Sequence, residues 1–146
     1  MTLRCEDTRI ARIVILFETL TPADTTALAE FYAPTVRFKD PFNEVVGVAA
    51  VQRIFAHMFV ALDDPRFIVR DIISQGDQCF LSWDFNFRFK RFSRELQTVR
   101  GGSHLVLDPQ GLITLHRDYW DAAEELYEKL PAIGALMRWL KRRANT

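Results

Sequence analysis

An α+β fold is the reading of this chain, and three observations predict it. Apolar residues recur at helical spacing through roughly the first sixty positions, alternate with polar ones through the middle of the chain, and return to helical spacing in the tail. The length of 146 residues suits one domain. The clearest single signal is the run in which Trp83, Phe85, Phe87 and Phe89 alternate with Asp84, Asn86, Arg88 and Lys90. Successive side chains on a strand point to opposite faces, so this segment is an antiparallel strand with one aromatic and one polar face.

The elements follow in order. From about Asp7 to Leu20, Ile10, Ile13, Val14, Phe17 and Leu20 fall at i, i+3, i+4, i+7 spacing and mark an amphipathic helix. Thr21-Pro22, with Asp24 behind it, opens a second helix carrying Leu28, Phe31 and Tyr32 that stops before Pro34. Val36-Arg37-Phe38 alternates as a short strand, and Asp40-Pro41-Phe42 turns the chain. Gly47 precedes a third helix with Val51, Ile54, Phe55, Met58 and Phe59 on one side, ended by Asp63-Asp64-Pro65. Strands are expected at Phe67–Ile73, at the aromatic run, at about Val99–Leu107, and at Leu112–Trp120 after the turn Asp108-Pro109-Gln110-Gly111. Asp121, with Glu124 three residues on, caps a helix through Leu126, Tyr127 and Leu130 to Pro131. A last segment runs from Ile133 to Arg143.

Composition excludes several functions. Lys+Arg and Asp+Glu number 19 each, so the chain lacks the cationic excess that nucleic-acid binding needs. No apolar run approaches about 18 residues, and MTLRCEDTRIAR has no secretory apolar core, so a cytoplasmic protein is expected. Cys5 and Cys79 lack metal spacing, no HxH or HExxH occurs among three histidines, and no phosphate-type glycine loop is present. Neither metal nor cofactor is expected. The 12 Phe supply area without hydrogen bonds, which is material for a dry aromatic interior.

Two stretches carry a family resemblance: Phe31-Tyr32-Ala33-Pro34-Thr35-Val36-Arg37-Phe38-Lys39-Asp40-Pro41-Phe42 running on to Gly47, and Gly111 through Asp121 with its Arg117-Asp118-Tyr119-Trp120-Asp121 end. In this order of elements they resemble the nuclear transport factor 2-like superfamily, with its ketosteroid isomerases and SnoaL-like cyclases. The match covers roughly residues 8–121, which leaves 122–146 as a C-terminal helical extension of a single domain over 1–146. The resemblance implies a curved antiparallel sheet wrapped around the N-terminal helices, forming a conical apolar pocket. Trp83, Phe85 and Phe87 would face into it, with Phe38, Phe42, Phe55 and Phe59 closing it. It also implies a homodimer.

Candidate chemistry rests on three residues. Asp40 falls where the isomerases hold their general base; an ordinary Asp-Pro turn, its side chain bonding nearby backbone N–H groups, is its other reading. On the last strand, alternation puts Thr114, His116, Asp118 and Trp120 on one face and Leu115, Arg117 and Tyr119 on the other. Asp118 matches an aspartate that serves as acid or base in related pockets; a salt bridge or helix cap is its other reading. His116 shares that face, within reach of a His–Asp pair. Ser103 and Trp120 would line the pocket with Phe55, while His104 would point away. Tyr32 would offer its hydroxyl to the pocket or lie at the surface.

The isomerase donor positions fall at Leu16, Ser103 and Phe55, which argues against steroid isomerisation. The Arg–Asp pair of the epoxide hydrolases is missing too, since Asp84 and Arg88 sit on the outward face. Two functions therefore stand: cofactor-free acid–base chemistry on an apolar small molecule, or a non-catalytic ligand-binding or dimerisation module. In the tail, Leu136, Met137, Trp139 and Leu140 beside Arg138, Lys141, Arg142 and Arg143 form a basic amphipathic stretch. It would pack on the domain or a partner, cover the pocket mouth, or touch an anionic membrane surface.

Overall fold

The computed structural model describes residues 5–91, 94–125, 139–140 and 142–144. Helix α1 (Thr8–Thr19) is capped by Asp7, whose carboxylate accepts from the Arg9 N–H at 3.0 Å. A 3₁₀ helix over Pro22–Glu30 follows, then β1 (Tyr32–Lys39), β2 (Glu44–Val46) and α2 (Val48–Ala61). The second half is a meander of β3 (Leu62–Gln75), β4 (Gln78–Phe89), β5 (Gln97–Leu107) and β6 (Ile113–Tyr119), closed by α3 (Ala122–Glu125).

The six strands make one open sheet in the order β2-β1-β6-β5-β4-β3. The pairs are antiparallel except β1 with β6, which run parallel. Helix α1 packs on β3, and α2 on β1 and β3, so the core lies between helices and sheet. Ile10, Ile13, Leu28, Val36, Val51, Leu81, Leu105 and Ile113 are fully buried there.

Extra residues bend the sheet. Along β3 the register slips between Asp63 and Arg66 and again between Val69 and Asp71, each time by one residue against β4. Such bulges raise local twist and curl a sheet toward its packed face. Asp64 takes φ +50° at the first of them. This replaces the expected helix stop at Asp63-Asp64-Pro65: the helix ends at Ala61 and those residues belong to the strand, held by Leu62 pairing with Phe89 and Asp63 with Arg88.

Other differences have local causes. The second helix is 3₁₀ because Thr25 and Thr26 donate their hydroxyls back to the carbonyls of Pro22 and Ala23, at 2.9 and 3.2 Å. Tyr32 opens β1 instead of ending that helix, since it pairs with Ile113 on β6. Strand β2, too short to show in the pattern, pairs with the end of β1. On β6, Val106 pairs with Leu115 but Leu107 with Ile113, so Thr114 is the extra residue. Ile113 takes the buried position, and the Thr114 hydroxyl donates to the Val106 carbonyl at 3.1 Å.

The tail helix starts as expected, with the Asp121 carboxylate accepting from the Glu124 N–H at 3.1 Å. Leu126, Tyr127, Leu130 and most of the basic stretch lie outside the described residues; Trp139 and Leu140 are each 45% exposed. Among the described residues no helix is long and apolar enough to cross a membrane.

Candidate functional site

Between the sheet and α2 lies an apolar cavity of about 400 Å³. Strand β4 supplies one wall with Trp83, Phe85, Phe87 and Phe89, as their alternation requires. Phe38, Phe55 and Phe67 add rings from β1, α2 and β3, and Phe42 and Trp120 meet edge to face at 5.5 Å. Phe59, one turn beyond Phe55, turns instead to a separate surface groove beside Pro65 and Leu96.

Asp118 borders the cavity, and a chain of hydrogen bonds converges on it. The Trp83 Nε1–H donates to Ser103 Oγ at 2.9 Å, and Ser103 Oγ donates to Asp118 Oδ1 at 2.5 Å. From the other side, His116 Nε2 lies 2.7 Å from the same Oδ1, and the Tyr32 hydroxyl lies 2.7 Å from His116 Nδ1. An indole N–H can only donate, so the serine must pass its own hydrogen to the carboxylate. Oδ1 is thus an acceptor, which puts a hydrogen on His116 Nε2; in a neutral imidazole Nδ1 is then left to accept from the Tyr32 hydroxyl. Among the described residues Oδ2 has no hydrogen-bond partner.

The sequence fixes this arrangement through strand registry. Ser103 faces Asp118 across β5 and β6, and His116 sits two residues before Asp118 on the same face. Gly101 faces Trp83 on β4, and a Cβ there would lie 2.6 Å from the indole ring. Only glycine lets the indole lie flat across β5 to reach Ser103. The His116 ring is 2% exposed, between Tyr32, stacked at 5.9 Å, and Phe38, edge-on at 4.8 Å. Burial pushes the Tyr32 phenol well above its usual range, and the Asp118 charge adds to this. That hydroxyl stays protonated and remains a donor.

The expected site residues divide clearly. Trp83, Phe85, Phe87, Phe55, Trp120, Asp40 and Asp118 border the cavity. His116 and Ser103 stand behind Asp118, facing only a narrow space of about 10 Å³. Tyr32 is fully buried and braces His116; it touches neither cavity nor surface. His104 points away and bonds Gln78 at 2.9 Å. The Asp40 carboxylate accepts from the Phe42 and Asn43 N–H groups at 2.8 and 2.7 Å and from the Asn43 amide, the hydrogen bonding of a turn former. Sequence reasoning passed over Phe67, which stacks on Phe85 at 4.5 Å; its place in an apolar run gave no sign of which face it takes. It also passed over His57, at the cavity edge on α2. Among the described residues no group of His, Cys, Asp or Glu could hold a metal ion.

Comparison with known proteins agrees with this architecture. A ketosteroid isomerase-like-fold protein from Catenulispora acidiphila, solved with trimethylamine, is 15% identical; the match covers 88% of this chain and 97% of that one at TM-score 0.73. TsrD from Streptomyces laurentii is 16% identical over 88% of this chain and 98% of its own, at TM-score 0.70. A provisionally assigned SnoaL-like polyketide cyclase from a Jannaschia species is 16% identical over 80% of this chain and 87% of its own, at TM-score 0.69. At these identities the likeness is one of fold. No curated protein matches. The sequence pattern of the SnoaL-like domain matches residues 15–116, well over half the chain. This chain therefore belongs to the SnoaL-like domain family, and its fold is that of the nuclear transport factor 2-like proteins.

Proposed function

We propose that this domain binds an apolar small molecule in the 400 Å³ cavity and moves a proton on it with Asp118, without a cofactor. One observation carries the reading: a carboxylate on the wall of an aromatic cavity, with one oxygen held by Ser103 and His116 and the other without a hydrogen-bond partner among the described residues. Fixing Oδ1 orients the group, so Oδ2 is the atom that takes a proton from a substrate carbon or oxygen and returns it. Trp83 and Tyr32 are positioning residues that hold Ser103 and His116. Isomerisation, cyclisation, dehydration and hydrolysis all use such a step. Asp40 serves the turn.

The non-catalytic reading also has an observation behind it. No Ser, Thr or Tyr hydroxyl borders the cavity among the described residues, so a developing oxyanion would find few donors there. A ligand carrier needs none. We further propose a homodimer through the outer sheet face, where Ile73, Phe80 and Tyr119 are exposed; light scattering measures it.

The test uses 5-nitrobenzisoxazole, a carbon acid that suits a base in an apolar site. Removal of its C3 proton breaks the N–O bond and releases a coloured cyanonitrophenolate. Asp118→Asn should lower the protein-catalysed rate by about 10²-fold or more, with the urea midpoint retained. Equal rates for the two proteins would leave the carrier reading standing.

A further inference from the structure

Beside the cavity lies a second hollow of about 300 Å³, lined by Asn43, Val45, Ala50, Arg53, Ile54 and His57. Asn43, Ile54 and His57 border both spaces. The chemistry changes across that shared wall. On the cavity side the surroundings are aromatic, and the acids are Asp40 and Asp118. Among the described residues the hollow has no acid in its lining. Its ionisable groups are Arg53 and His57, four residues apart and so on one face of α2.

Arg53 is exposed, and no carboxylate pairs with it among the described residues. The two acids that come just before it in the chain are engaged elsewhere. Glu44 lies 3.6 Å from the Lys39 ammonium, and Asp40 is held by the N–H groups of Phe42 and Asn43. A guanidinium is a planar fork of donors that fits a carboxylate or sulfonate in bidentate fashion. Left unpaired beside an apolar cavity, it is suited to the charged end of whatever fills that cavity.

We propose that the ligand of this protein is an amphipathic organic anion, its apolar body in the aromatic cavity and its anionic group at Arg53. The inference rests on the reading of the cavity as the ligand site and adds the chemical class of the ligand. It also gives the site a direction, placing the charged end beyond Asn43 and Ile54, away from the rings of β4.

Two fluorescent probes with one skeleton test it: neutral N-phenyl-1-naphthylamine and its sulfonate, 8-anilinonaphthalene-1-sulfonate. Both should bind the wild-type protein. Arg53→Gln, an exposed change, should weaken the sulfonate about tenfold and leave the neutral probe within about twofold, while Arg53→Lys keeps part of the preference. High salt should weaken only the sulfonate. Equal affinities of wild type and Arg53→Gln for the sulfonate, or an equal loss for both probes, would overturn the anion subsite and leave the cavity reading intact. Failure of the neutral probe to bind the wild type would overturn both.

Discussion

At the scale of single residues, the hydrogen bonds around Asp118 form a sequence that, with a neutral imidazole at His116, has one direction. It starts from an indole N–H that cannot accept and a buried phenol that stays protonated, and it ends on one carboxylate oxygen. Tyr32→Phe removes the far donor and leaves the buried Nδ1 of His116 unsatisfied. That costs about 1–3 kcal/mol of stability, read as a lower urea midpoint. Asp40→Asn should leave the 5-nitrobenzisoxazole rate within about twofold, because the amide oxygen can accept the same turn N–H groups. A loss matching that of Asp118→Asn would return Asp40 to the chemistry. Asp118 and His116 were legible in the sequence from strand alternation. The role of Tyr32 was not, since it depends on β1 pairing in parallel with β6 across 84 residues of separation.

At the scale of elements, the sheet owes its aromatic wall to alternation on β4 and its curl to bulges on β3. The pattern showed the first and hid the second, because an inserted residue leaves composition unchanged while turning every later side chain to the other face. Thr114 is the same lesson on β6, where alternation alone placed it beside His116. Gly101 gives this scale its test. Gly101→Ala puts a methyl group against Trp83 and 2.9 Å from the Tyr119 carbonyl oxygen. It should cost about 1–3 kcal/mol and change the indole fluorescence as the bond to Ser103 is lost. At Gly102 the added methyl meets the Phe80 ring, which is 37% exposed and has room to swing, so Gly102→Ala should cost less. The reverse order would show that Trp83 does not depend on the glycine.

At the scale of the whole molecule, one core and one cavity share the same helices and sheet, so stability and site are read together. The fold class and order of elements were legible because long amphipathic segments report their own period. The volume and walls of the cavity were not, since they arise from curvature and from residues distant in sequence, such as Phe38, Phe67 and Trp120. Burial pushes the Cys79 thiol from 9.0 up to about 11, and the Tyr32 phenol also rises. The folded chain therefore keeps protons that the unfolded chain releases. This contribution is full below about pH 9 and is lost as pH rises toward 11. Between pH 8 and 10.5 the cysteine alone should cost about 2 kcal/mol, and Cys79→Ala should flatten that fall in urea melts. An unchanged slope would mean that the thiol is open to water.

The central claim is that the aromatic cavity and the Asp118 carboxylate are one site. Competition between the two probes of that site tests it most directly. The rate of 5-nitrobenzisoxazole elimination is measured while N-phenyl-1-naphthylamine is titrated to saturation. The account predicts that the Asp118-dependent rate falls to the level of Asp118→Asn, with an inhibition constant equal to the dissociation constant read from the naphthylamine fluorescence. An Asp118-dependent rate that persists at saturation would contradict it.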